Sequence, residues 1–381
     1  MRLCALTSIV GIDTLQLSVN IDGLPLFKSS AVSFWPILCA IANVKPCYPF
    51  VVAVFCGTRK PSDFNFVSDT IQDLKQLIES GFQYNDKHLA VELHSIVCDA
   101  PAKCMMKGII QYNGYYGCDR CEEKGVYDGR MLFLDTTCRL RSDQSFRQQS
   151  NKQHHKELSP FCVLDIDMIQ RFPLDYMHVL NLGVMKRLLL LWISGPLKTR
   201  TSANQIAQIS NKLDNIKKYM PCEFVRKPRS LQHVRLWKAT EYRQFLMYTG
   251  PFVLKDILTK RQYDHFMCLH VGVCILMNVE LVAQHSEYAR QLLHYFVLES
   301  IEIYGRKFVT YNVHCLVHLP DVAVFYGSLE NCSAYKFENY LQRLKRLVRS
   351  GRRPLAQVSR RIAEMEHHVI DSPAACTPLD L

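Results

Sequence analysis

Residues 14–22 read "TLQLSVNID", in which apolar and polar side chains alternate as they do in a half-buried β-strand. The strand is expected to end at an acid, Asp22, before a glycine turn. Two further β-rich runs follow, "FWPILCAIANV" at 34–44 and "PFVVAVFCG" at 49–57, joined by the turn "NVKPCYP". The chain therefore opens with three predicted strands.

A helix and more strands are predicted next. Residues 64–81, "FNFVSDTIQDLKQLIESG", show helical spacing and end at a glycine. The run "HLAVELHSIVCD" at 88–99 predicts a fourth strand that again ends in an acid, Asp99, and "GIIQYNGYYGC" at 108–118 predicts a short fifth strand. A mixed α/β sheet is the simplest architecture for this order.

The later part of the chain is mainly helical in pattern. Residues 129–160 are polar and irregular, which we interpret as a linker or exposed loop, whereas 163–305 have helical periodicity and 335–367 form a basic helical tail. We therefore predict a mixed-sheet α/β fold that is interrupted by a large all-helical insertion. The predicted segments are 14–125 (first part of the core), 126–305 (linker and insertion), 306–367 (His-containing segment and terminal helix) and 368–381 (tail).

Composition restricts the class of protein. The 381 residues carry a formal net charge of +11, which suits a polyanionic partner such as nucleic acid. The N-terminal sequence lacks the pattern of a secretory signal, and no apolar run is long enough to predict a membrane span. A reducing compartment is therefore expected, in which paired members of the 16 cysteines are better interpreted as metal ligands than as disulfides.

Three acids are candidates for a catalytic site. Asp22 and Asp99 each end a predicted strand, and Glu338 lies on an apolar-faced helix in "SAYKFENYLQRLKRLVRS". Each has a simpler explanation, as a turn residue or, for Glu338, as a charge partner of a nearby Arg or Lys. If the two strands are neighbours, their carboxylates meet at one edge, where a divalent cation such as Mg²⁺ or Mn²⁺ would offset their repulsion.

Two pairs of soft ligands lie far apart in the sequence. Cys118 and Cys121 have C-x2-C spacing, and His314 and His318 in "YNVHCLVHLPD" fall on one helix face. Each pair alone could be free thiols or ordinary helix histidines; together they predict a structural Zn²⁺ site at the base of the insertion. His178 is a competing ligand, an active-site residue or a core or capping histidine.

Other polar clusters have simpler interpretations. His154 and His155 lie in the polar segment and are interpreted as solvated. Two dense basic runs could be solvated faces, but they also fit a track for the phosphate backbone of DNA. The candidate DNA-binding residues are Arg226, Lys227, Arg229, Arg343, Lys345, Arg346, Arg349, Arg352 and Arg353.

The order of motifs resembles the transposases of CACTA (En/Spm-like) elements. The matching stretches are "NIDGLPLFKSS", "VCDAPAKCMMKGIIQYNGYYGCDRCEEKG", "FPLDYMHVLNLGVMKRLL", "YNVHCLVHLPDV" and "YKFENYLQRLKRLVRSGRRPLAQ", spread over about 14–365. The resemblance implies an RNase H-like core with a DDE triad, formed by Asp22, Asp99 and Glu338, and an all-helical insertion. It also aligns Asp175 and His178 with an Asp-x-Met-His segment of the family, as accessory active-site residues. Lys336 and Asn339 depart from the family pattern around the glutamate.

The resemblance further implies activity, partners and location. It implies Mg²⁺- or Mn²⁺-dependent cleavage and transfer of DNA strands in the nucleus, without a membrane partner; assembly into a homo-oligomer is left open. Family members carry more sequence before the first aspartate than the 21 residues that precede Asp22, so we expect a truncated or domesticated catalytic core. The alternative is a domesticated, non-catalytic DNA-binding scaffold that keeps the fold.

Overall fold

The computed structural model describes residues 11–371, and from residue 366 onward it describes the backbone alone. The first ten residues, to which the prediction of no secretory signal applies, and most of the predicted tail (372–381) lie outside this range. The chain divides into two compact units. The first comprises Met1–Cys98, Val163–Ile166 and Ala334–Leu381, and the second comprises Asp99–Cys162 and Asp167–Ser333.

The described part of the chain contains β-strands and α-helices with the following bounds. The strands are β1 (Thr14–Ile21), β2 (Leu24–Pro25), β3 (Ser33–Ile41), β4 (Phe50–Gly57), β5 (Phe82–Tyr84), β6 (Lys87–Val97), β7 (Val126–Tyr127) and β8 (Met131–Leu132). The α-helices are α1 (Asn65–Ser80), α2 (Ala100–Met106), α3 (Asp143–Arg147), α4 (Lys186–Ser194), α5 (Ala203–Ile216), α6 (Ala239–Gln244), α7 (Gly250–Leu254), α8 (Lys260–Leu276), α9 (Val279–Tyr304), α10 (Tyr311–His314), α11 (Leu319–Tyr326), α12 (Tyr335–Leu347) and α13 (Pro354–Asp371).

The first unit is built on a mixed six-stranded sheet. Strand β1 lies between β3, with which it pairs antiparallel, and β6, with which it pairs in parallel. Strands β2 and β4 both pair with β3, and β5 pairs with the other side of β6. The central position of β1 explains why its last five residues are all buried. The α/β class with a mixed sheet is thus confirmed.

Most of the predicted elements of this unit are present. The three opening strands, α1 and the strand before Asp99 form where periodicity placed them, and Gly81 ends α1 with a positive φ of 68°. The predicted fifth strand at 108–118 is wrong, because this segment forms turns and one isolated bridge, from Ile109 to His155. A Cβ at Gly117 would lie within 2.8 Å of two backbone oxygens, so the chain folds back tightly there.

The second unit is mainly helical, with the long helices α8 and α9 packed as a hairpin. Met277 and Asn278 separate the two helices, and the side chain of Asn278 accepts a hydrogen bond from the backbone N–H of Leu281, which caps α9. The Cys-x-x-Cys segment belongs to this unit, whereas the sequence had grouped it with the first part of the core. π-Helical turns occupy Met177–Met185 and Phe245–Thr249.

The segment 129–160 is packed into the second unit, so its interpretation as a linker or exposed loop is wrong. Strand β8 and Phe133 are buried, and α3 buries Phe146. His154 is fully buried and its Nδ1 lies 2.7 Å from the carbonyl oxygen of Tyr116, while His155 makes an edge-to-face contact with Phe146. Burial lowers the pKa of His154 to about 3 and that of His155 to about 4, which corrects their prediction as solvated residues.

One helical segment, Met177–Ser194, is long and apolar enough to cross a membrane by length and composition. However, 56% of it is buried inside the protein, and Leu188, Leu189 and Trp192 are part of that buried surface. The core helix of a water-soluble protein passes the same test, so this segment is weak support for a membrane span.

Candidate metal centres and nucleic-acid interface

The Cys-x-x-Cys turn is fixed by the segment that follows it. The backbone N–H of Glu122 donates to the carbonyl of Arg139, and that of Arg141 donates to the carbonyl of Arg120. Both thiols, of Cys118 and Cys121, are buried at 1% exposure or less. Two backbone hydrogen bonds therefore join the turn to the following segment, and both of its cysteines are buried.

The two histidines come from a helical segment far along the chain. His314 ends α10 and His318 ends the 3₁₀ turn Cys315–His318, so the two share a face and their Nε2 atoms lie 3.2 Å apart. Tyr311 on α10 donates a hydrogen bond of 2.9 Å to the buried carboxylate of Asp119, which lies inside the Cys-x-x-Cys turn. This bond connects the two halves of the cluster.

The four predicted ligands form one buried group in the second unit. The Sγ atom of Cys118 lies 3.7 Å from Nε2 of His318, and the Sγ of Cys121 lies 3.3 Å from Nε2 of His314. All four ligand atoms lie within 4.8 Å of one another, an arrangement that could hold a metal ion. The prediction that the two pairs form one cluster agrees with this geometry.

The thiol of Cys118 lies close to two other thiols and to both imidazoles of the cluster. Burial raises the pKa of the Cys118 thiol, but hydrogen bonds from the Cys121 and Cys315 thiols and the two nearby imidazoles outweigh it, so the pKa lies well below its usual value. The pKa of Cys121 is raised by its hydrogen bond to Cys118 and by burial. The geometry therefore favours at least one thiolate, which is the ligand form of cysteine.

Glu123 extends the cluster outward and was missed in the sequence. Its Oε2 lies 3.3 Å from Nδ1 of His314, an ion-pair contact whose angle does not meet hydrogen-bond geometry, and its Oε1 accepts a bond from the backbone N–H of Asp135. Burial raises the pKa of this carboxyl. The only signal in the sequence was an acid two residues after Cys121, in a turn that carries several charges.

Two of the three predicted catalytic acids come together in the first unit. A carboxylate oxygen of Asp22, which follows β1, and one of Glu338, on α12, lie within 4.8 Å of each other. Asp22 is 9% exposed and its Oδ1 accepts a hydrogen bond from the backbone N–H of Gly23. Helix α12 buries Phe337, Leu341 and Leu344, and this fixes the orientation of Glu338 on its half-buried side.

The third acid, Asp99, is the first residue of the second unit. It follows β6, and its Oδ1 accepts a hydrogen bond of 2.7 Å from the backbone N–H of Ala102, so that it caps α2. In the sheet, Asn20 of β1 is paired with Val97 of β6. Asp22 and Asp99 therefore follow the same pair of residues by two positions on parallel strands.

The predicted accessory residues form their own pair in the second unit. The Nδ1 of His178 lies 2.7 Å from Oδ2 of Asp175, which also accepts a bond from the backbone N–H of His178. Asp175 is 2% exposed and the pair begins the π-helical turn Met177–Met185. Asp175 thus sets the orientation of the imidazole, and such π-turns are frequent at functional sites.

The predicted DNA-binding residues differ in their exposure and in whether their side chains already bond to other residues of the protein. Arg343, Arg346, Arg349, Arg352 and Arg353 are exposed on or after α12, while the half-buried Lys345 donates to the carbonyl of Pro25. Arg226 is exposed, and Lys227 donates to the carbonyls of Met220 and Pro221. Arg229 makes a two-point ion pair with the buried Glu241, which removes it from the predicted phosphate track.

Comparison with known proteins adds no further constraint on these sites. No protein-family model matches the chain. No curated protein matches it either.

Proposed function

We propose that the chain is the catalytic core of a DDE-type DNA transposase of the CACTA kind, with an RNase H-like first unit. The observation that carries this proposal is the pairing of Asp22 and Glu338, which come from opposite ends of the chain to one place beside the central strand β1. Two carboxylates held this close repel, and a cation between them, like a proton retained by one of them, offsets that repulsion. The strand order, with β1 parallel to β6 and antiparallel to β3, supports the same proposal.

Asp99 completes the proposed triad. The register of β1 and β6 supports this role, since equal offsets from the paired residues Asn20 and Val97 direct Asp22 and Asp99 to the same end of parallel strands. Hard carboxylate oxygens are the ligands that Mg²⁺ and Mn²⁺ take in phosphoryl-transfer sites. Bound by these acids, such ions would supply activation of the attacking oxygen and stabilisation of the leaving oxygen in an in-line displacement.

The Cys/His cluster is proposed to hold structural Zn²⁺. Zinc bonds of about 2.3 Å to sulfur and about 2.0–2.1 Å to nitrogen, at tetrahedral angles, place a sulfur and a nitrogen ligand about 3.6 Å apart and two nitrogens about 3.3 Å apart. The corresponding distances here are 3.3 and 3.7 Å between sulfur and nitrogen and 3.2 Å between nitrogens. Four protein ligands leave no open position, which is typical of a structural site.

DNA is the proposed substrate, and the nucleus the proposed location. The net charge of +11 and the exposed arginines on and after the helix that carries Glu338 support it, since phosphate contacts by Arg and Lys supply most of the affinity of non-specific DNA binding. The same residues would deliver the DNA backbone to the acids. Sequence preference would come from contacts other than these.

Nicking of supercoiled plasmid in Mg²⁺ tests this function. The wild-type chain should nick the plasmid, and Asp99→Asn should abolish nicking while duplex binding stays the same or rises because a negative charge near phosphate is removed. Nicking that survives Asp99→Asn would contradict the assignment of the acids.

One observation favours the scaffold as a second candidate. The Oδ1 of Asp99 already caps α2, a structural role that a non-catalytic descendant would also keep. A wild-type chain that binds duplex DNA tightly but never nicks it, with Mg²⁺ or Mn²⁺ present, would support this candidate instead.

A further inference from the structure

Four cationic side chains come together in the second unit, where the turn of the β7–β8 hairpin meets the 3₁₀ turn that follows α9. The cations of this basic cluster are Arg130, Arg187, Arg306 and Lys307. The backbone N–H of Phe133, just after β8, donates to the carbonyl of Val309 at 3.1 Å, and this bond joins the hairpin to the segment after α9. None of the four cations belongs to the candidate DNA-binding residues or to the proposed zinc site.

Among the described residues, a single acid pairs with these cations. Asp128, in the hairpin turn, has its Oδ1 2.9 Å from Nζ of Lys307 and its Oδ2 4.0 Å from Nε of Arg306. No ion pair joins Arg130 or Arg187 to an acid in the described part of the chain. The basic cluster therefore has a clear excess of positive charge.

Arg187 is held in place on α4. Its Nη2 donates to the carbonyl of Lys307 at 2.6 Å, and its guanidinium lies over the ring of Phe308, 5.3 Å from the ring centroid. Burial and the nearby guanidinium of Arg130 lower the pKa of Arg187 to about 10, so it stays protonated at neutral pH. Two like charges therefore lie near each other, and an anion that binds beside them would be attracted to both.

The donors of the basic cluster are accessible to a partner. Arg130 is exposed, and its guanidinium makes no hydrogen bond to any residue in the described ranges. The side chains of Arg306 and Lys307 are 51% and 58% exposed. Because exposed ion pairs such as theirs with Asp128 contribute little stability, a phosphate could replace Asp128 as their partner at small cost.

We infer that the basic cluster binds phosphates of the DNA backbone, with Arg130 as the direct contact and Arg187 as a fixed charge beside it. This inference rests on the proposed function, since it takes DNA as the polyanion. Duplex DNA carries one negative charge per about 1.7 Å of helix axis, so neighbouring phosphates can meet cations from both turns. Guanidinium groups bind phosphate through two parallel N–H···O bonds. Such contacts position DNA without reading its sequence.

Duplex binding by the full chain at several salt concentrations tests the inference. Arg130→Gln should weaken binding to all duplexes alike and reduce the salt slope by about 0.9, because one phosphate is no longer neutralised. Adding Arg187→Gln should reduce the slope by about 0.9 again. Arg200→Gln, at an exposed arginine of the same unit, is the matched control and should bind as the wild type does.

A change at Asp128 should have the opposite effect, which damage to the fold would not imitate. Asp128→Asn removes the acid that pairs with Arg306 and Lys307, so binding should become tighter. The salt slope should become steeper by about 0.9 for each of these cations that gains a phosphate. Glu157→Gln removes the same charge at an exposed acid of the same unit and should bind as the wild type does.

The outcomes separate this inference from the proposed function. Arg130 and Asp128 both lie in the hairpin turn, so the test stands even if Arg187→Gln does not fold. Duplex binding that is unchanged in Arg130→Gln and in Asp128→Asn would overturn the inference alone. An equal gain in Asp128→Asn and Glu157→Gln would also overturn it, because net charge would then explain the gain. A wild-type chain that does not bind duplex DNA would contradict the proposed function, and this inference with it.

Discussion

The Nε2 atom of His314 lies 3.3 Å from the Sγ atom of Cys121, although 193 residues separate them in the sequence. The hydrogen bond from Tyr311 to Asp119 joins the same two segments without the help of a metal ion. The second unit therefore closes a long loop at one buried point, where a bound metal ion would add stability by joining distant segments.

The zinc content of the purified protein should depend on the thiols of this cluster. Purified wild-type protein is expected to contain about one zinc per chain, and Cys118→Ser should lose it, because serine does not replace a thiolate ligand. Cys222→Ser, at an exposed cysteine, is the control and should retain the metal. Elemental analysis measures both, and a wild-type chain without zinc would rule the site out.

Glu123 should raise the affinity of the cluster for zinc without being a ligand itself. Glu123→Gln is expected to weaken zinc binding about 10- to 100-fold, because carboxylates that contact a ligating histidine orient it and raise its basicity. Glu122→Gln, at the adjacent half-buried acid, is the matched control. Competition with a chromophoric chelator gives both affinities, and equal values for the two variants would refute the role of Glu123.

DNA affinity should depend on the arginines of α12 and not on Arg229. Arg346→Ala with Arg349→Ala should weaken binding to all duplexes alike and should reduce the salt slope by about 0.9 for each phosphate that the variant no longer neutralises. Arg229→Lys should change neither quantity, because Arg229 faces Glu241. Fluorescence anisotropy at several salt concentrations measures this, and an unchanged slope in the double variant would contradict the proposed track.

Stability should fall in acid through buried histidines of the second unit. Burial lowers the pKa of His265, which stacks on Phe296, to about 4. The unfolded chain, with a usual histidine pKa of about 6.5, then binds more protons than the folded chain between about pH 4 and 6.5. This histidine should therefore cost about 1.4 kcal/mol of unfolding free energy per pH unit as the pH falls through that window.

His265→Gln should remove that part of the pH dependence, whereas His233→Gln, at an exposed histidine, should not. Urea unfolding at pH 5 and pH 7 provides the free energies. Equal pH dependence in all three proteins would show that folding does not shift the pKa of His265, which would contradict this prediction.

The sequence predicts the first unit better than the second for a physical reason. The alternation in β1 and the acid after β6 are local patterns, and burial on one or both faces of a sheet imposes them directly. The segment 129–160 was predicted wrongly because its overall composition is polar, although a few buried residues, such as Phe133 and His154, pack it into the unit. Composition averages over such residues.

The candidate sites show the same limit. Ligand spacing within each half of the Cys/His cluster is local and could be predicted, and the two pairs together make up the four ligands of a tetrahedral zinc site, which predicted that the halves meet. The contact of Glu123 with His314 and the pairing of Arg229 with Glu241 depend on side chains brought together by tertiary packing. The spacing of residues along the sequence does not predict contacts of this kind.

The most direct test of the central claim is the anomalous scattering of crystals soaked in Mn²⁺. If Asp22 and Glu338 share a catalytic cation, a manganese peak should lie about 2.2 Å from an oxygen of each carboxylate, and Glu338→Gln should remove it. Glu364→Gln, at an exposed acid of α13, should leave the peak unchanged. Manganese bound elsewhere, with none between Asp22 and Glu338, would contradict the account.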